Sequence, residues 1–271
     1  MIVENKLVVV TGAAGGIGSA LCRLLSQRGA KVVVADLDGA AAETVADSIG
    51  GLAVQCDVSD EASTTKLVQA AEQHFACPID LFCSNAGFGT GEDGHAASAS
   101  NETWQRNWDV HVMAHVYASR ALLPAMIKRG DGYLLNVASA AGLLSQISDA
   151  AYTATKHAAV AFAESLAISH GDDGIKVSVV CPQYVNTNIL GISKEQRAKP
   201  MEGVLTPEYC AEVIVDGIEK EQFLITPHPE VRDYMQNRAN DPDRWLSGMR
   251  RLRRTLLDET GKVDFRKIFS S

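Results

Sequence analysis

The feature that most constrains this chain is a series of short, unbroken apolar runs. In order they read "KLVVVTG", "KVVVAD", "LAVQCDV", "IDLFCSNAG", "GYLLNVAS", "KVSVVCP" and "FLITP". A strand with one wet face alternates apolar and polar residues. These runs do not alternate, so each must be covered on both faces, as in a parallel sheet. Helical segments fit between them. The segment from Gly16 puts Ile17, Leu21, Leu24 and Leu25 on one face and has Gly29 as its stop. Ser59–Phe75 and Tyr152–His170 are further helices, and Thr206-Pro207 supplies an N-cap and a first-turn proline for another. The prediction is a single α/β domain: a doubly wound parallel sheet of about seven strands with helices on both faces.

The chain has 271 residues and a formal charge of −8. No linker or internal repeat divides it. The strand–helix pattern ends near residue 227, and residues 228–271 form a polar, arginine-rich helical tail. In "DRWLSGMRRLRRTLL", Trp245, Met249, Leu252 and Leu256 recur at helical spacing. The tail is expected to pack over the same domain's pocket or on a neighbouring subunit, and binding to anionic lipid is the second reading. The acidic balance argues against nucleic acid as a partner. The first residues read as neither a signal peptide nor a membrane span. Cys22, Cys56, Cys77, Cys83, Cys181 and Cys210 lie far apart with no C-x-x-C, as expected of reduced thiols in a cytoplasmic protein.

Chemistry enters at the first strand–helix turn, "VVVTGAAGGIGSAL". Its glycines, Gly12, Gly16 and Gly18, let the backbone approach a phosphate, and the helix N-terminus offers unpaired N–H groups. The spacing is neither G-x-G-x-x-G nor a P-loop. A glycine-rich turn used only for packing stays open. Asp36 ends the second strand, about 20 residues on, where a carboxylate accepts hydrogen bonds from an adenosine ribose and repels a 2′-phosphate. No cation stands at Ala13, Ala14 or Leu37, so NAD is expected over NADP. Asp36 as a simple helix cap is the alternative.

"AAYTATKHAAVAF" puts Tyr152 and Lys156 on one helix face. An ammonium beside a phenol lowers its pKa and gives a base usable near neutral pH. Ser139 lies at the C-terminal end of the fifth strand, where ligands bind in such sheets.

With these residues in view, the sequence resembles a classical short-chain dehydrogenase/reductase over roughly residues 5–226. The resemblance rests on "TGAAGGIG", Asp57-Val58, "NAG" at Asn85–Gly87, Ser139, "YTATK" and "CPQYVNT". It implies a Rossmann-type fold, a nicotinamide cofactor and a Ser139–Tyr152–Lys156 catalytic group. It further implies that Gly12, Gly16 and Gly18 shape the pyrophosphate turn with Ile17 packed against it, and that Asp57 and Val58 meet the adenine. Asn85, Ala86 and Gly87 would lie beside the riboses, Tyr152 and Lys156 at the nicotinamide ribose, and Val185 and Thr187 at the carboxamide. A homodimer or homotetramer is implied as well, through the Ala154–Ala167 helix and the one before it.

The sequence departs from that family twice. Gln183 follows Pro182 where glycine is usual, and glutamine takes a left-handed backbone only at a cost. A re-shaped loop, with Gln183 facing substrate, is expected. At residue 111, in "DVHVMAHV", the family usually carries asparagine, the fourth member of a tetrad whose backbone carbonyl holds a water linked to the lysine. His111 keeps that carbonyl. His111 and His115 also have the i, i+4 spacing of a zinc grip, but Val112 stands where the protease pattern needs glutamate, and no metal is expected. Tetrad replacement, plain helix histidine and metal ligand are the three readings of His111, which is carried as a catalytic candidate. His115 and His157 are expected at a surface or interface.

The expected reaction interconverts a secondary alcohol and a ketone with NAD. Leu143, Leu144, Ile147 and Tyr184 suggest an apolar pocket for a hydrophobic or ring-bearing substrate, and Asn188–Leu205 reads as a flexible lid. An epimerase or dehydratase of the related extended family and a non-catalytic NAD-binding sensor or scaffold are the rival readings.

Overall fold

The computed structural model describes residues 1–92, 94–191, 194–199, 201–264 and 267. Its centre is a seven-stranded sheet. The strands are β1 (Leu7–Thr11), β2 (Lys31–Asp36), β3 (Leu52–Gln55), β4 (Leu81–Ser84), β5 (Gly132–Val137), β6 (Ile175–Val180) and β7 (Leu224–Ile225). Their order is β3-β2-β1-β4-β5-β6-β7, and every neighbouring pair is parallel. Each strand matches one of the apolar runs. β3 stops at Gln55 because the chain then turns out of the ladder, with the Cys56 N–H bonded to the Asp36 carbonyl. β7 is only two residues long, at the sheet edge.

The helices are α1 (Gly16–Gln27), α2 (Gly39–Ile49), α3 (Glu61–Phe75), α4 (Asn101–Trp108), α5 (Ala114–Arg129), α6 (Ala150–His170), α7 (Lys194–Arg197), α8 (Pro207–Glu219), α9 (Glu230–Asn240) and α10 (Pro242–Leu256). Unbroken apolar strands are explained by what lies on either side. Val8 and Val10 point into a core shared with α1, α2 and α8. Leu7 and Val9 point into a second core with α3, α5 and α6. β4 divides in the same way, Leu81 and Cys83 to one side and Phe82 to the other. Full burial of side chains such as Leu21, Leu67 and Ile214 contributes roughly 1.5–3 kcal/mol each.

Strand order reverses between β1 and β4. Their carboxyl ends therefore diverge into a crevice, the ligand position in open α/β sheets. Between α4 and α5 the helical run passes through one π-turn, Asp109–Met113. Such a turn inserts an extra residue and re-aims the side chains around it. In the segment predicted as a lid, residues 192, 193 and 200 lie outside the described residues. The remainder carries a short turn at Asn188–Leu190 and α7. Among the described residues no helix is long and apolar enough to cross a membrane.

Candidate active site

The crevice contains a groove of about 420 Å³. Gly12, Gly16, Ile17, Asp36, Asp57, Val58, Asn85, Ala86, Gly87, Ser139, Tyr152, Lys156, Val185 and Thr187 all line it. These are all but two of the site residues expected from sequence. Gly18 is one exception. A Cβ there would lie 2.2 Å from the Gly12 carbonyl oxygen and 2.7 Å from Asn85 Nδ2. Its role is to let the turn fold onto itself. Gly12 has φ of 61°, and a Cβ would meet Ala86 Cα at 2.6 Å.

The first turn of α1 is suited to an anion. Its N-cap is Gly15, and no side chain caps it. By contrast Asp38, Asp60, Ser100, Asp149, Thr206 and Asp241 each cap the helix that follows them. Gly15, Gly16 and Ile17 face the groove, so the unpaired N–H groups and positive dipole end of α1 are available to a phosphate. Thr11 and Asn85 brace the opposite wall. Asn85 Nδ2 donates to the carbonyls of Thr11 (2.8 Å) and Gly12 (3.1 Å), and the Asn85 N–H donates to Thr11 Oγ1 (3.0 Å). Asp36 is not the cap of α2, since Asp38 is. Its carboxylate accepts the N–H of Ala14 (2.9 Å) and of Asp38 (3.1 Å) and stands at the groove's edge. The uncapped helix end, the glycine cradle and this carboxylate together fit a dinucleotide.

At the other end of the groove, Asp149 caps α6 through the Tyr152 N–H and also holds the N–H groups of Thr90 and Gly91. This sets Tyr152 one turn into the helix. Lys156 is buried. Its ammonium donates to the Val137 carbonyl at 3.1 Å and sits 5.6 Å from the centroid of the Tyr152 ring. Burial pushes the lysine down to about 8. Packing also pushes the Tyr152 phenol up to about 12, partly offset by a hydrogen bond from Ser139. In the protein alone desolvation is the largest cause for both groups. Ser139 Oγ accepts the Ala141 N–H at 3.1 Å and approaches the Pro182 carbonyl only at 3.5 Å. Its hydroxyl lies between Tyr152 and the Pro182 carbonyl, on the wall of the groove.

His111, the second exception, lies behind the groove and is fully buried. Nε2 accepts the Phe88 N–H at 3.2 Å. Nδ1 is 3.2 Å from Thr155 Oγ1, which itself donates to the carbonyls of Ala151 and Tyr152. The tautomer follows: Nδ1 carries the proton and donates to Thr155. The ring stands edge-on to Tyr152, 5.3 Å between centroids. Burial and the neighbouring Lys156 charge hold its pKa down at about 2, so it stays neutral.

The surface assignments of the other two histidines do not hold. His115 is buried, and burial drives its pKa down to about 3. Asn136 approaches it, yet neither ring nitrogen nor Asn136 Nδ2 meets a partner in bonding geometry. The π-turn that ends two residues earlier, together with Asn136 of β5, encloses it. His157 is half-buried. Nδ1 donates to the Thr153 carbonyl and Nε2 receives Arg238 from α9.

A second cavity of about 680 Å³ meets the groove at Ser139 and Gln183. Leu144, Ile147 and Tyr184 line its inner side; Tyr234 of α9 and Trp245, Met249, Leu252 and Leu256 of α10 line its outer wall. Arg238 ties α9 down by donating to the carbonyls of Leu143 and Leu144 and stacking 5.2 Å from the Trp245 ring centroid. Gln183 needs no left-handed backbone here. Its N–H donates to buried His228 Nδ1 (3.1 Å), whose other nitrogen donates to the Tyr184 carbonyl. Sequence reasoning missed His228 and Arg238, because each pairs with a segment about 45 to 95 residues away. It also missed Phe88 and Arg106, which stack at 4.8 Å on the groove wall. Phe88 directly follows the Asn85–Gly87 motif and could have been suspected; nothing marked Arg106.

The family model described as short chain dehydrogenase matches residues 6–198. Meso-2,3-butanediol dehydrogenase of Serratia marcescens is 35% identical over 189 residues, 69% of this chain and 74% of that protein. The 1-deoxy-11-beta-hydroxypentalenate dehydrogenase of Streptomyces exfoliatus is 31% identical over 254 residues, 91% of this chain and 92% of that one. Among solved structures, a short chain dehydrogenase/reductase from Burkholderia phymatum in complex with NAD aligns with a TM-score of 0.80 at 28% identity, covering 90% of this chain and 96% of the other.

Proposed function

The chain belongs to the short chain dehydrogenase family of oxidoreductases, and on that premise we propose that it interconverts a secondary alcohol and a ketone with NAD, using Tyr152 as acid and base. The observation that carries this reading is the junction of two cavities. A groove that fits a dinucleotide and a pocket of mixed apolar and polar lining meet at Ser139 and Gln183, with Tyr152 and Lys156 in the wall of the groove.

When bound, the nicotinamide cofactor supplies the hydride acceptor or donor. The protein's own groups do the rest. In the oxidising direction Tyr152 takes the hydroxyl proton as the substrate's O–H bond breaks and its C=O bond forms. The Ser139 hydroxyl donates to the substrate oxygen. Lys156 keeps two N–H bonds free after its bond to Val137 and can offer them to a ribose. Its positive charge favours the phenolate against the desolvation that opposes it.

Asp36 at the groove edge, with no cation at Ala13, Ala14 or Leu37, supports NAD over NADP. The apolar side chains in the second cavity, Leu144, Ile147, Trp245, Met249, Leu252 and Leu256, support a hydrophobic or ring-bearing substrate. A homo-oligomer is proposed on the exposed apolar residue Ile168 at the end of α6 and on the shallow apolar hollow at Val116, Leu123 and Phe162.

The test is NADH absorbance followed across a panel of secondary alcohols of graded size. Reduction of NAD by a ring-bearing alcohol is the expected outcome. A protein that binds NADH but reduces NAD with no alcohol is not this enzyme.

A further inference from the structure

The outer wall of the second cavity is not wholly apolar. Its only charged lining residues among the described residues are Asp241, Arg244 and Arg251. In a chain of formal charge −8, this wall is net positive.

Both arginines belong to α10, seven residues apart, hence two turns along the same face. Trp245, Met249 and Leu252 lie beside them and also line the cavity. Between the arginines stands Gly248. Arg251 Nη2 lies only 3.8 Å from where a Gly248 Cβ would be. The guanidinium therefore folds back across the glycine, along the cavity face. A glycine inside a helix costs about 1 kcal/mol against alanine, and here it leaves that strip of the wall low and open.

Neither guanidinium is spoken for. Among the described residues no carboxylate lies within salt-bridge distance of Arg244 or Arg251, and neither side chain has a hydrogen-bond partner. Arg238 and Arg250 of the same tail do have partners. The nearby Asp241 spends one oxygen on the Arg244 N–H as helix cap. The cavity thus offers apolar surface next to Ser139 and two uncommitted planar cations on the far wall. Arginine is the side chain that matches a carboxylate with paired hydrogen bonds.

We propose that the substrate is an apolar alcohol or ketone carrying a carboxylate, with its carbinol at Ser139 and its carboxylate at Arg244 and Arg251. This rests on the oxidoreductase reading for the location of the reacting end. It adds the chemical class of the molecule.

The test is made on the full-length protein with NADH bound. Cyclohexanecarboxylate and cyclohexanecarboxamide, alike in shape and different in charge, are titrated by calorimetry. The carboxylate is expected to bind about tenfold more tightly. The preference should shrink in about 0.5 M salt. It should vanish in R244Q/R251Q through weaker carboxylate binding alone, and return in R244K/R251K, which keeps the charges. Equal affinities in the unaltered protein, or a preference that survives R244Q/R251Q, would overturn the proposal. The first comparison needs no variant, so a double variant that fails to fold does not remove the test. If no alcohol reduces NAD, the oxidoreductase reading fails by its own assay, while the calorimetry still decides whether the cavity selects an anion.

Discussion

His111 Nε2 accepts the Phe88 N–H at 3.2 Å. This bond fixes the protonation of the ring and makes it a brace. Through Nδ1 it reaches Thr155, so the loop after β4 is tied to the helix that carries Tyr152 and Lys156. Asparagine at this position is too short to span both partners. H111N is expected to lose about 1–3 kcal/mol of stability, seen as a lower denaturation midpoint. Because the imidazole stays neutral well below physiological pH, the pH–rate profile between pH 5 and 9 should keep its shape. A limb that disappears in H111N would show that the imidazole titrates during turnover.

His115 and His111 also set the acid limit of the fold. Both have folded pKa values, about 3 and about 2, below the ordinary 6.5. Between those values the unfolded chain binds more protons than the folded one. Stability is therefore full above pH 6.5 and falls as pH drops, by roughly 1.4 kcal/mol per pH unit for each histidine. His115→Leu removes one of the two, together with two unpaired buried nitrogens. Its denaturation midpoint should fall less steeply between pH 6 and pH 4.5, the slope that remains coming from His111 and from His228, whose pKa burial also lowers. An unchanged slope would mean that His115 is protonated, or exposed, in the folded state.

Under the proposed mechanism Tyr152 acts on the substrate, so its removal should spare NADH affinity. Y152F is expected to lower kcat by about a thousandfold or more while the Kd for NADH moves less than about twofold. Turnover that survives the substitution would remove Tyr152 from the chemistry.

Two glycines in one turn predict opposite outcomes. G18A places a methyl 2.2 Å from the Gly12 oxygen, which the backbone cannot yield cheaply. It should lower stability by about 2 kcal/mol or more and abolish NADH binding. G15A meets nothing within 4 Å and should leave the melting temperature within about 2 °C. Equal losses in both would mean that the turn is rebuilt when cofactor binds.

Cofactor choice can be tested at Asp36. Removing the carboxylate and adding a cation, in D36S/L37R, should raise kcat/KM for NADP relative to NAD by about tenfold or more. An unaltered ratio would place discrimination elsewhere in the groove.

The sheet could be read from the sequence because its central strands are covered on both faces, and apolar runs report that directly. Gly12 and Tyr152 were legible through local backbone and through spacing within one helix; Asp36 and Asn85, whose partners lie 22 and 74 residues away, were legible only by position at a strand end and by a family motif. The burial of His115 was not. Helical periodicity assumes α-geometry, and the π-turn at Asp109–Met113 shifts the register just before it. Nor could the sequence reveal the Arg238 anchor, whose acceptors are the carbonyls of Leu143 and Leu144. Backbone acceptors exist at every position, so no residue type marks them.

That anchor has a consequence for how the molecule can change. The reacting groups stand just after β5 and on α6, whereas the far wall of the pocket stands on α9 and α10, with α9 held by Arg238 and Arg232 to the carbonyls of Leu143, Leu144 and Leu224. Main-chain acceptors persist through any substitution at 143 or 144. The lining residues Tyr234, Trp245, Met249 and Leu252 can therefore be exchanged while Arg238, its acceptors and the catalytic half stay as they are. The shape of the pocket and the proposed chemistry are thus carried by different parts of the chain.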